Sequence, residues 1–232
     1  RFSRTHSEAR AHQRRAHEQL GQLPRRTMSI TPPAELQPLA GNLHLLYPYV
    51  VPRSWVDYVG ADSLLTWDFS EDVRMVLVID GLGTVRNAKS QDLSEAGLSV
   101  EDAFEVAANN LGKAFQAGEF QLGGATLIDG TNIGMARGSW MAPAGALMLG
   151  NFYEMLKENL GGEEFAAVAV NQQCLFAFPT DEKTLGSKSL RIAIEDEFRG
   201  HPKPISRAWL KLDGTWPSEH PLNGTFNASP DS

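Results

Sequence analysis

From residue 63 onward the apolar positions fall into short runs separated by turn residues. Ser63-Leu64-Leu65-Thr66-Trp67-Asp68-Phe69 and Val73-Arg74-Met75-Val76-Leu77-Val78-Ile79 have the length and the β-branched or aromatic content of strands. The second closes on Asp80-Gly81, a turn dipeptide, and Thr84-Val85-Arg86 is placed to pair back against it. Val100, Ala103, Phe104, Ala107, Ala108, Leu111 and Phe115 then recur at three and four residues behind Ser99, with Asp102 three positions after that serine. This is the pattern of a capped amphipathic helix ending near Gly118.

Phe120-Gln121-Leu122 and Ala125-Thr126-Leu127-Ile128 lead into a second Asp-Gly pair at 129 and 130, and Asn132-Ile133-Gly134-Met135-Ala136 leads away, which predicts a hairpin closed by a type I′ turn. Pro143 suits the first turn of a helix reaching about Leu160, where Gly161-Gly162 ends it. The apolar runs from Phe165 to Val170 and from Cys174 to Phe178, joined by Asn171-Gln172-Gln173, predict a further hairpin. A third helix covers Ser187 to Phe198, stopped by Gly200 and Pro202, and Ala208-Trp209-Leu210-Lys211-Leu212 alternates as a last strand. Because strands arrive as hairpins, the expected class is α+β, a mostly antiparallel sheet with about three helices packed on it. Residues 31–54, with Pro32, Pro33, Pro38, Pro48 and Pro52, are expected to be irregular.

Charge divides the chain at Met28. Residues 1–27 hold seven Arg and two Glu, a net +5, whereas residues 28–232 hold 14 basic and 26 acidic side chains, a net −12 within the overall −7. The organisation expected is a basic leader over 1–27, an extension or an arm, then one α+β domain over 28–216 and a polar, flexible tail over 217–232. His6, His12 and His17 in the leader are spaced by six and five, which does not put them on one helical face, so no metal site is expected there. An acidic body repels phosphate and favours a basic protein partner over nucleic acid. The longest aliphatic stretch, Met75 to Ile79, is far short of the roughly 20 residues of a membrane helix. Neither twin-arginine pair is followed by an apolar segment, so a cytoplasmic location is expected.

The candidate chemistry is thin. Gly81-Leu82-Gly83 follows a strand as a dinucleotide fingerprint does, but Arg86 stands where the third glycine belongs. Leu127-Ile128-Asp129-Gly130-Thr131 has the outline of an aspartyl-phosphate motif, yet the nucleophile position holds Leu127; around Asp80 it holds Val78. No Gly-x-Ser-x-Gly elbow occurs. The single cysteine, Cys174, sits in a predicted strand interior and reads as a buried thiol. His44, His201 and His220 are far apart, and neither a metal nor a cofactor is expected. Asn223 and Asn227 open sequons that matter only in a secreted protein.

Several segments together resemble the YtpQ-like proteins, an uncharacterised bacterial family. They are Val76-Leu77-Val78-Ile79-Asp80, Ala107-Ala108-Asn109-Asn110-Leu111, the helix expected over Ala144 to Tyr153, and Val168-Ala169-Val170 through Leu175-Phe176-Ala177-Phe178-Pro179. The resemblance spans residues 64–212 and implies an α+β domain in an intracellular setting, with no reaction attached. At Met141-Ala142-Pro143-Ala144-Gly145 the chain departs from the Asn-Tyr-Glu-Ala-Ser that family members tend to carry.

Two functions follow as expectations. The first is a non-enzymatic binding factor, such as an immunity protein neutralising a basic toxin, with Glu195, Asp196 and Glu197 meeting the partner. The second is a small-molecule hydrolase or transferase whose pocket gathers Asn109, Asp129, Asn132 and Arg137 from distant parts of the chain. The basic leader touching nucleic acid or membrane is a third, lesser reading.

Overall fold

The computed structural model describes residues 38–81, 84–140 and 142–221. The basic leader with its histidines, the turn at Leu82-Gly83 and the sequons of the tail lie outside the described residues.

Two antiparallel sheets carry the fold. The first comprises β1 (Leu46–Pro52), β2 (Thr66–Asp68), β3 (Val73–Gly81) and β4 (Thr84–Asn87), in the order β1-β3-β2 with β4 paired to the far end of β3. The second comprises β5 (Gln121–Thr126), β6 (Asn132–Arg137), β7 (Phe165–Asn171), β8 (Cys174–Pro179), β9 (Leu210–Leu212) and β10 (Ser218–Glu219), in the order β10-β9-β7-β8-β6-β5. The helices are α1 (Arg53–Val59), α2 (Ser90–Ala96), α3 (Val100–Gln116), α4 (Phe152–Leu160), α5 (Glu182–Leu185) and α6 (Lys188–Gly200). The class is α+β, with six described helices where about three were expected. The extra ones, α1, α2 and α5, each bury a single residue (Val56, Leu93 and Thr184), so they print no repeating stripe in the sequence. No described helix is long and apolar enough to cross a membrane.

The unbroken apolar runs of β7 and β8 reflect a sheet covered on both faces. Phe165, Ala167, Ala169, Leu175 and Ala177 join the core shared with the first sheet, while Ala166, Val168, Val170, Cys174, Phe176 and Phe178 join a second core closed by Leu190 and Ile194 of α6 and by Trp209. Between the sheets runs a 3-10 segment, Pro143–Met148, packed against β1, β6, β7, β8 and α3. Every residue of it is buried, and the chain turns extended at Leu149 before α4 begins. The continuous helix expected from Pro143 to Leu160 is therefore broken. A turn surrounded on all sides has no polar face to place in water, and Gly145 lies so close to β1 that a Cβ there would meet the Pro48 carbonyl oxygen at 2.9 Å.

Two further expectations change. Residues 46–52, read as irregular because of Pro48 and Pro52, form β1; it pairs only with β3, and an edge strand can leave proline's missing donor on its outer side. The β5–β6 hairpin does not close with a type I′ turn, which needs positive φ at two central residues; among the described residues only glycines have positive φ. Instead the amide of Gly130 donates to the Leu127 carbonyl at 2.9 Å and that of Leu127 to the Thr131 carbonyl at 2.8 Å. Gly130, at φ +78°, supplies the left-handed residue of a three-residue loop. The expected tail is also partly ordered, since Ser218–Glu219 pairs with β9.

Candidate functional site

The acidic run on α6 is engaged from within the protein. Glu195 pairs with Arg199 at 2.5 Å and with Arg207 at 3.0 Å, and the Arg207 hydrogen bond is the first reason its carboxyl lies below its ordinary range. Glu197 pairs with Arg137 across 60 residues of sequence. Of the three predicted partner-binding residues, only Asp196 remains exposed without an ion pair among the described residues.

The four residues of the predicted pocket do not converge. Asn109 lies exposed on α3, which packs on β1 of the first sheet. Asn132 and Arg137 stand at opposite ends of β6, about 17 Å apart along the strand. Asn132 Oδ1 accepts a hydrogen bond from Thr126 Oγ1 at 2.8 Å, while Arg137 is taken by Glu197 and its guanidinium lies over the Phe176 ring. Asp129 accepts from Ser187 Oγ at 2.6 Å, Thr131 N at 3.1 Å and Ser189 N at 3.4 Å, the serine first among the causes that hold its carboxyl well below the usual range. It ties the β5–β6 loop to the start of α6 and caps that helix's entry, a structural task.

The other chemistry-bearing side chains are also committed to the scaffold. Asp80 Oδ2 accepts from the Tyr49 hydroxyl at 2.9 Å and Trp140 Nε1 at 2.6 Å; burial, then the Asp80 charge, pushes the tyrosine hydroxyl up. This locks β1 and β3 to the segment that leaves β6. In the groove lined by Glu163, Glu164, Thr180 and Asp181, Glu163 pairs with Lys157 at 2.7 Å and Asp181 caps α5 through Thr184. Among the described residues no three of His, Cys, Asp and Glu come together as metal ligands.

Cys174 is 3% exposed, and burial pushes its thiol up to about 12, with Arg137 pulling in the opposite direction. The native thiol is therefore expected to resist iodoacetamide at pH 8 and to react only as the chain unfolds, which mass spectrometry of a denaturant series reads directly. The raised value also has a sign for stability. The contribution is whole below the ordinary thiol range near 9 and is lost as pH climbs toward 12, because only the unfolded thiol ionises there. Cys174→Ala should flatten that alkaline limb.

The surface that sequence reasoning missed is aromatic. Trp67 on β2 is 41% exposed and Trp216, in the loop between β9 and β10, is 51% exposed. Their rings stack with centroids 5.2 Å apart at 26°, and Trp67 also meets Phe104 of α3 edge-on at 5.9 Å. The loop that presents Trp216 is held from below. Asp213 pairs with Lys211 at 2.8 Å and accepts from Thr215 N and Oγ1, which brings its carboxyl down to about 2, the lysine contributing most. Gly214, at φ +84°, rests against the Tyr153 ring. Glu219 Oε2 accepts from the Glu71 amide at 3.2 Å, fastening the loop to the β2–β3 turn.

The elements around these rings carry exposed carboxylates. Glu71 and Asp72 lie in the β2–β3 turn, Glu219 on β10, and Glu101 and Glu105 flank Phe104 on α3; all five are exposed, and none has an ion pair among the described residues. Arg53 pairs with Asp57, Arg74 with Asp68 and Lys211 with Asp213. The result is an exposed aromatic pair with unpaired carboxylates on the neighbouring elements, none of them on α6, where the sequence placed the partner surface.

No family model, curated protein or solved structure matches this chain.

Proposed function

We propose that this protein is a cytoplasmic, non-enzymatic binding factor whose acidic body captures a basic protein, as an immunity protein captures a toxin, and that it is kin to the YtpQ-like proteins. One observation carries the reading: five exposed carboxylates without an ion pair among the described residues lie on or beside the elements that bear the exposed aromatic pair, while the acids of α6 are largely neutralised. Unpaired surface charge of one sign costs self-repulsion, and an opposite charge from outside relieves it. The same carboxylates repel phosphate, so the folded body is not read as a nucleic-acid binder. The partner surface is thereby relocated from Glu195, Asp196 and Glu197 to Glu71, Asp72, Glu101, Glu105 and Glu219.

Charge complementarity acts first on encounter. With an arginine-rich protamine peptide as probe, stopped-flow association is expected to slow steeply as salt rises. A variant carrying Glu71→Lys, Glu101→Lys, Glu105→Lys and Glu219→Lys together should associate about tenfold more slowly at low salt, whereas Glu195→Lys with Asp196→Lys should change the rate far less. Association independent of salt, or equal in the two variants, would overturn the reading.

A further inference from the structure

We propose that the Trp67–Trp216 pair is the anchor of this docking surface and that it takes the guanidinium of an arginine on an extended segment of the partner; this rests on the binding reading above. Of the two indoles, Trp67 is the less exposed, at 41%, stacked on Trp216 and met edge-on by Phe104. Trp216 is the outer member, half exposed on a loop that an ion pair, an Asx turn and the Glu219–Glu71 bond hold in place. A rigid indole face already aimed at water loses little freedom on binding, which is why tryptophan and arginine dominate the energetics of protein interfaces.

The chemistry of the occupant follows from what surrounds the rings. A planar cation stacks on an indole face and can at the same time direct its N–H fork at carboxylates beside it. Glu219 uses Oε2 for the Glu71 amide, which leaves Oε1 to receive such a donor, and Glu71 and Asp72 lie in the adjoining turn. Lysine carries the same charge but only a compact ammonium, so the aromatic pair should prefer arginine. A second copy of this chain would bring one set of unpaired carboxylates against another, and an anionic surface would meet the same repulsion.

The test is calorimetric titration of the full chain with two heptapeptides, one alternating glycine and arginine, the other glycine and lysine. The arginine peptide is expected to bind about fivefold more tightly, and Trp216→Ala to weaken it about tenfold while erasing the preference over lysine. Trp216→Phe, which keeps a flat ring, should retain part of both. Thermal unfolding of each variant separates loss of the ring from loss of the fold, and an unchanged midpoint with lost preference supports the assignment. If Trp216→Ala binds both peptides as the unsubstituted chain does, the anchor is overturned while capture of basic partners stands. If neither peptide binds the unsubstituted chain at low salt, both are overturned. A dimer in sedimentation velocity that Trp216→Ala dissociates would assign the aromatic pair to a second copy and overturn the arginine proposal.

Discussion

Phe178→Ala is expected to destabilise the domain by about 3–5 kcal/mol, read as a shift in the urea midpoint with little change in slope. Phe178 is 0% exposed on β8 and projects into the core beneath α6, where its ring meets Trp209 edge-on with centroids 4.9 Å apart. Opposite it on β7 stands Ala166, so the strand partner has no side chain long enough to fill the space. The helix above has little freedom to settle inward, because Ser187 at its start is bonded to Asp129 and Glu197 near its end to Arg137. A cavity that cannot collapse incurs both lost transfer energy and lost contacts. Phe178→Leu, which refills most of the volume, should cost less than half as much. Equal losses in the two variants would mean that ring-to-ring contact, and not volume, holds this core.

Asn110→Leu should cost about 2–4 kcal/mol although the replacement is apolar, close in size and placed in a core. Asn110 is 5% exposed on α3, and its Nδ2 donates to the carbonyls of Leu43 at 2.7 Å and Leu46 at 2.9 Å. These bonds join the helix to the 3-10 turn Leu43–Leu45 and to the first residue of β1. Leucine removes both bonds; the Leu43 carbonyl keeps the Leu46 amide, but the buried Leu46 carbonyl loses the Asn110 donor. Asn110→Asp should be worse at neutral pH, since a carboxylate would face two carbonyl oxygens. Its deficit should shrink under acid, because burial beside acceptors raises the new carboxyl and protonation restores a donor. Denaturant curves for the three chains at neutral and acidic pH check both the size and the sign. The effect reaches the docking surface because α3 also carries Phe104, against which Trp67 rests.

Asn110 shows how the helix was legible and its purpose was not. The three-and-four spacing from Ala103 to Leu111 marks the buried stripe of α3, and Ser99 with Asp102 marks its start; Asp102 N donates to Ser99 Oγ at 3.1 Å as that spacing requires. An asparagine inside such a stripe looks like a boundary residue until the carbonyls it serves, more than 60 residues earlier, are folded against it. The same holds for β1. Two prolines argue against a strand, and only the knowledge that its outer edge is unpaired removes the objection. The 3-10 segment Pro143–Met148 was hidden for a different reason: proline followed by small and apolar residues fits a helix start equally well, and burial from every side is a property of its neighbours.

Local pattern was enough to place the long helices, the hairpins and the α+β class, because hydrophobic period and turn chemistry act over a few residues and are written along the chain. The excess of carboxylates past Met28 is likewise countable from composition alone. Which carboxylates are spent was settled by folding. Arg137 reaches Glu197 from 60 residues away, which quiets the acidic run that stands out in the sequence. Trp67, Phe104 and Trp216 share no spacing, motif or element, yet two sheets and a helix bring them into one aromatic surface. Ring stacking and ion pairing depend on distance in space, and distance along a chain carries that information only within a turn or a strand.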